Sequence, residues 1–132
     1  MSYRRRRPRR EDGSASTEAV LLTPALLFVV MLVVQFGLWY HAQHVVQAAA
    51  RAGADSARME ASSADAGRAR AAEVLAALGP TIVRAPVIEA GLDAERAVVT
   101  VSGRAVNVVP GLSMPVRATA VGTVERFRGD VP

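Results

Sequence analysis

Apolar side chains fill residues 19–40 almost without interruption: AVLLTPALLFVVMLVVQFGLWY, with Thr23 and Gln35 as the polar exceptions. No formal charge falls between Glu18 and Arg51. A helix buried in a small soluble domain is apolar along one stripe, whereas this stretch is apolar on every face. As a helix its 22 residues span about 33 Å, against a hydrocarbon core about 30 Å thick. The pattern predicts one membrane crossing. Beyond it, residues 41–59 are dense in Ala, with Gly53 as the single interruption, so the helix continues past the membrane surface with a side able to pack closely on another helix.

The periodicity then changes. Ser62 and Ser63 offer a helix cap. A second helix, roughly residues 63–78, places Ala71, Val74, Leu75 and Leu78 on one face, with Arg70 and Glu73 paired away from it. Gly79-Pro80 ends it. Residues 81–89 favour a strand, but Pro86 restricts them to a sheet edge or to two short pieces. Ala97, Val99 and Val101 alternate with Val98, Thr100 and Ser102. After Gly103 the apolar positions become even, at Val106 and Val108, which predicts a bulge at that glycine. Residues 110–115 read as a loop. Val116, Ala118, Ala120, Gly122 and Val124 then alternate with Arg117, Thr119, Thr123 and Glu125, and the two runs pair as an antiparallel hairpin. The fold class is α+β: an N-terminal transmembrane helix extending outside the membrane, then a small domain of one helix on antiparallel strands. The segments are a leader over residues 1–13, the helix over 14–60 and the small domain over 61–132, with a loose tail from 127.

Charge fixes an orientation. Arg4, Arg5, Arg6, Arg7, Arg9 and Arg10 precede the apolar run with only Glu11 and Asp12 against them, which accounts for the whole net charge of +4. Positive charge beside an apolar span stays on the cytoplasmic side. The expected location is therefore the cytoplasmic membrane, single-pass, with the C-terminal domain extracytoplasmic. Nucleic-acid binding would need a basic face on a folded element with stacking aromatics or a groove reader, and this tail has one Tyr and no periodicity. The chain has no Cys, which removes disulfides, thiolate metal sites and Cys nucleophiles. A cleaved secretory signal is the competing reading, with small residues at Ala48, Ala49 and Ala50, but its apolar core is usually 7–15 residues. An uncleaved anchor, or one trimmed at its cytoplasmic end, fits the length better.

Within the span, the missing N–H of Pro24 predicts a kink or local loosening. Gln35 is either an outer-interface residue or a helix–helix hydrogen bond. Trp39 and Tyr40 belong to the headgroup belt. His41 and His44 share a helix face but have no third ligand, so they read as interfacial residues beside Gln43 and Gln47, and no metal or other cofactor is expected. No catalytic constellation is evident: Asp93 and Glu95 read as a solvated turn, and no G-x-S-x-G or phosphate-binding loop occurs. The residues point to an anchored structural or assembly protein, not an enzyme.

At Gly13-Ser-Ala-Ser-Thr-Glu18 and the run behind it, the sequence resembles type IV prepilin-like proteins, and more closely the TadE-like family of the tight-adherence (Flp) pilus assembly system. A basic leader ends at Gly13 and Glu18 is the fifth residue after it. Pro24 matches the family's early Pro, Phe36-Gly37 its Phe-Gly, and Gln47-Ala-Ala-Ala-Arg51-Ala-Gly53 its Gln-x-Ala-Ala-Arg-x-Gly pattern. The resemblance covers about residues 10–58. It implies a minor pilin or pseudopilin of a Tad-type apparatus, with a prepilin peptidase, other pilus components, pilin-like subunits and the bilayer as partners. The peptidase would cut between Gly13 and Ser14. Glu18 would then lie at or just inside the apolar zone, where insertion scales put an ionised side chain at about 2.5–3.5 kcal/mol for a helix centre and less near the edge. The free amine of a neighbouring subunit would offset that cost and select registered packing. The plainer role for Glu18 is a first-turn carboxylate stabilised by the helix dipole. The alternative function is an uncleaved, signal-anchored binding module.

Overall fold

The computed structural model describes residues 12–59 and 63–124. The six leader arginines and Ser62 lie outside this range, as does the tail from residue 127. Five elements follow in order: α1 (Asp12–Met59), α2 (Ala64–Leu78), β1 (Val83–Leu92), β2 (Arg96–Ala105) and β3 (Pro115–Thr123). The strands form one antiparallel sheet in the order β1-β2-β3. The architecture is α+β, as the hydrophobic pattern implies.

α1 changes character at Gln35. Along residues 15–34 its side chains are exposed all round, apart from two half-buried positions. Its most apolar 18-residue window has a mean hydropathy of 2.5 and is 6% buried, so this helix is long and apolar enough to cross a membrane. From Gln35 onward one side is covered: Gln35, Ala42, Val46, Ala49, Gly53 and Ala57 are buried, at steps of three, four or seven residues. The lower half is thus lipid-like in composition all round, and the upper half is an ordinary amphipathic core helix. The helix runs through Pro24 without ending.

α2 lies against the upper half of α1. Ser63 caps it, accepting from the Ala66 amide at 3.4 Å, and the Gly79 amide closes its end on the Leu75 carbonyl at 2.9 Å. The two helix backbones meet where Gly53 faces Gly67. A Cβ on Gly53 would lie 2.8 Å from the Gly67 carbonyl oxygen and 3.1 Å from the Ala71 Cβ. In α2 Gly67, Ala71 and Leu75 are buried and Val74 half-buried, whereas Leu78, assigned to the core by periodicity, is 53% exposed, because at its level the Gly79 backbone meets Val45 of α1. Arg70 and Glu73 pair at 2.7 Å on the exposed side.

The β2–β3 hairpin has the register its alternation suggests, with Val99 opposite Ala120 and Val101 opposite Ala118. Ala97, Val99, Val101 and Val116 are buried, and the Thr100 and Thr119 hydroxyls meet at 3.0 Å. The bulge is not at Gly103. It lies in the edge strand β1, between Arg84 and Val87, with Ala85 at a φ of 47°. One extra residue there flips the strand's parity, so Val83 and Ile88 both reach the core. Gly103 permits it from across the pair: a Cβ at Gly103 would sit 2.8 Å from Val83 Cγ1 and 3.1 Å from the Arg84 carbonyl oxygen. β2 itself ends at Ala105, so Val106 and Val108 belong to the connection to β3 rather than to a continued strand.

Candidate functional site

The connection between β2 and β3 returns to α1 at the level where the helix first becomes covered. Gln35 meets it with its whole amide. Nε2 donates to the Val106 carbonyl at 3.2 Å, and Oε1 accepts from the Val108 and Val109 amides at 2.7 and 3.3 Å. Four residues on, Trp39 Nε1 donates to the Pro115 carbonyl at 3.1 Å. Four further, Gln43 pairs with both backbone groups of Arg117: Nε2 donates to its carbonyl at 2.7 Å and Oε1 accepts from its amide at 3.3 Å.

The spacing has a geometric cause. Four residues advance an α-helix by about 6 Å, and two residues advance an antiparallel strand by about 6.8 Å. α1 and β3 run side by side in the same direction, so side chains at steps of four meet outward-facing peptide groups at steps of two. The Gln43 amide acts as a surrogate peptide on the open edge of β3, satisfying groups that an edge strand otherwise presents to solvent or to another chain. The next positions, Gln47 and Thr119, line a groove of about 390 Å³ together with Arg51.

This clamp revises several expectations. Gln35 is fully buried and bonds within its own chain, so it is neither an open interface residue nor a free donor for another helix. Trp39 is half-buried on Pro115, and its indole N–H is engaged by the domain, whereas Tyr40 is 62% exposed and edge-on to His44 with ring centres 4.5 Å apart. Gly53 serves packing inside the protein, against α2 and Val99. Pro24, Phe36, Gly37 and Arg51 face outward. Phe36 is 56% exposed, and a Cβ on Gly37 would meet nothing within 4 Å. The residues singled out for packing thus divide in two: Gln35 and Gly53 bind the domain to its helix, while Pro24, Phe36, Gly37 and Arg51 are exposed.

At the other end of α1, the Gly13–Ser14 bond lies in the first turn, and the Gly13 carbonyl accepts from the Thr17 hydroxyl at 2.9 Å. Glu18 is exposed one turn further on. His41 and His44 are exposed, and among the described residues no group of three or more His, Asp or Glu is placed to hold a metal ion.

Residues 13–55 match the family model described as TadE-like protein. This segment is TadE-like. Neither curated proteins nor solved structures give a match to the chain. The TadE-like segment lies wholly within α1 and contains Gly13, Glu18, Pro24, Gln35, Phe36, Gly37, Arg51 and Gly53. It also contains the helix side of the clamp, Gln35, Trp39 and Gln43, whereas the residues that receive those bonds lie outside it.

Proposed function

We propose that the protein is a membrane-anchored minor pilin or pseudopilin of a Tad/Flp-type pilus or secretion apparatus, structural rather than catalytic. α1 crosses the cytoplasmic membrane once, with its N-terminus cytoplasmic and the α+β domain outside. The observation that carries this reading is the TadE-like match over the same helix whose residues 15–34 are exposed and uncharged apart from Glu18. Prepilin peptidase cleaves between Gly13 and Ser14, and Glu18 pairs with the new amine of a neighbouring pilin-like subunit. The outward face carrying Phe36 and Gly37 then supports helix–helix contact, since small residues let backbones approach in lipid.

The test is the N-terminus of the native membrane protein, by intact mass, beside a Gly13→Leu variant. The expected result is a chain starting at Ser14, with the variant left uncut. A Glu18→Gln chain is then processed normally but fails to enter assemblies with other pilin-like subunits. A wild-type chain still starting at Met1 or Ser2 removes the processing mechanism, and a start beyond residue 45 removes the anchor as well. One observation favours the second reading, an uncleaved anchor displaying a binding module: the Gly13–Ser14 bond is helical, so a peptidase must first unwind the opening turn.

A further inference from the structure

The structure assigns a second membrane contact to the 106–114 loop: we propose that it enters the outer interfacial layer of the bilayer beside α1. The inference rests on the reading of α1 as a spanning helix. Depth is the first argument. Gln35 is sixteen residues beyond Ala19, or about 24 Å along the axis, whereas the hydrocarbon core is about 30 Å thick. A crossing that begins at Ala19 therefore reaches Gln35 about 6 Å before it leaves the apolar zone, and tilt only deepens it. If Glu18 itself lies inside the apolar zone, Gln35 falls at the boundary. In either case the loop bonded to Gln35 is carried to that depth.

Composition agrees. No charge falls between Arg104 and Arg117, and the run includes Val106, Val108, Val109, Pro110, Leu112 and Met114. Val108 and Pro110 are exposed and Leu112 is half-buried, which leaves apolar groups uncovered at the membrane end of the domain. Arg104 and Arg117 are exposed at the loop's base, where their heads can reach anionic headgroups. The far end is the opposite in character: Asp55, Arg58, Asp65, Arg68, Asp93 and Glu95 all lie there.

Backbone satisfaction is the third argument. Irregular backbone is tolerated at membrane depth only where its polar groups find partners within the protein. Gln35 supplies them for Val106, Val108 and Val109, Trp39 for Pro115, and β2 takes the Met114 carbonyl through the Ala105 amide at 3.0 Å. A buried glutamine in an apolar helix is costly unless its amide is fully used, and here it serves peptide groups that would otherwise face lipid.

The chain has no Cys, so single thiols can be introduced at will. Full-length Val108→Cys, Ser113→Cys, Leu26→Cys and Asp93→Cys proteins, each carrying a polarity-sensitive fluorophore, would be reconstituted in phosphatidylethanolamine–phosphatidylglycerol vesicles containing a lipid with a nitroxide high on its acyl chain. The expected result is several-fold stronger nitroxide quenching at Val108→Cys and Ser113→Cys than at Asp93→Cys, with a blue-shifted emission and shielding from aqueous iodide. Quenching at both loop positions equal to that at Asp93→Cys, with Leu26→Cys strongly quenched, overturns the loop contact and leaves the spanning helix intact. Iodide shielding without nitroxide quenching means that protein, such as a second copy, covers the loop, and also overturns it. An unquenched Leu26→Cys label overturns the spanning reading itself.

Discussion

Gly53→Val destabilises the extramembrane domain by about 3 kcal/mol, the upper part of the range for overpacked cores. The first atom of the new side chain already meets the Gly67 backbone oxygen at 2.8 Å and Val99 Cγ1 at 3.0 Å. Gly67 cannot yield by a rotamer change, because a backbone group obstructs and its own Cβ position is 2.9 Å from the Gly53 oxygen. The two helices must separate, and the separation propagates to Val99 and Ala71, both fully buried. For a domain of this size the melting temperature falls by roughly 10–20 °C. The single tryptophan, Trp39, docks on Pro115 and reports the transition by its fluorescence in detergent or vesicles. Gly37→Val is the matched control, because nothing lies within 4 Å of its Cβ position. It changes helix propensity by less than about 1 kcal/mol. Equal melts for the two variants would remove the Gly53–Gly67 crossing as a determinant of the fold.

Gln35→Leu has the second large effect, and a local one. The substitution strands the Val106 carbonyl and the Val108 and Val109 amides, at a cost of about 1–3 kcal/mol for each group left buried without a partner. The loop relieves that cost by lifting from the helix. Amide exchange followed by mass spectrometry should therefore show protection lost over residues 106–114, while the β2 core around Val99 and Val101 keeps its own. Unchanged loop protection would mean that the Gln35 amide is dispensable.

Much of this architecture is legible in the amino-acid pattern, and the exceptions share a cause. The long apolar helix, the Ser63 cap, the Gly79 stop and the β2–β3 register follow from patterns local in sequence. What sequence periodicity misses is set by contacts between distant segments. Parity changes at Gly103 and so points to a bulge there; the parity change that matters is across the pair, in β1, and Gly103 only makes room for it. Leu78 has the right phase for the α2 core, but at that level the Gly79 backbone meets Val45 of α1, and Leu78 is left on the rim of a groove beside His41 and His44. The clamp does leave a signal. Gln35, Trp39, Gln43 and Gln47 place four hydrogen-bonding side chains at steps of four on the part of the helix, between Glu18 and Arg51, that carries no formal charge. Considered one at a time, they resemble interface residues. As a stripe, they mark the side on which backbone from another element must lie.

Because α1 is continuous from Asp12 to Met59 and its upper half is bonded to the domain at three successive turns, no flexible linker separates the apolar run from the domain. With α1 spanning as proposed, the domain's heading in the plane of the membrane is then written into the length of the span. Each residue of an α-helix turns the chain by about 100°. One alanine inserted between Leu27 and Phe28 would leave both the lipid-facing run and the domain intact, yet swing the sheet through more than a quarter circle relative to Glu18. A partner that grips both ends would feel that turn as a mismatch, and a partner that touches only one end would not.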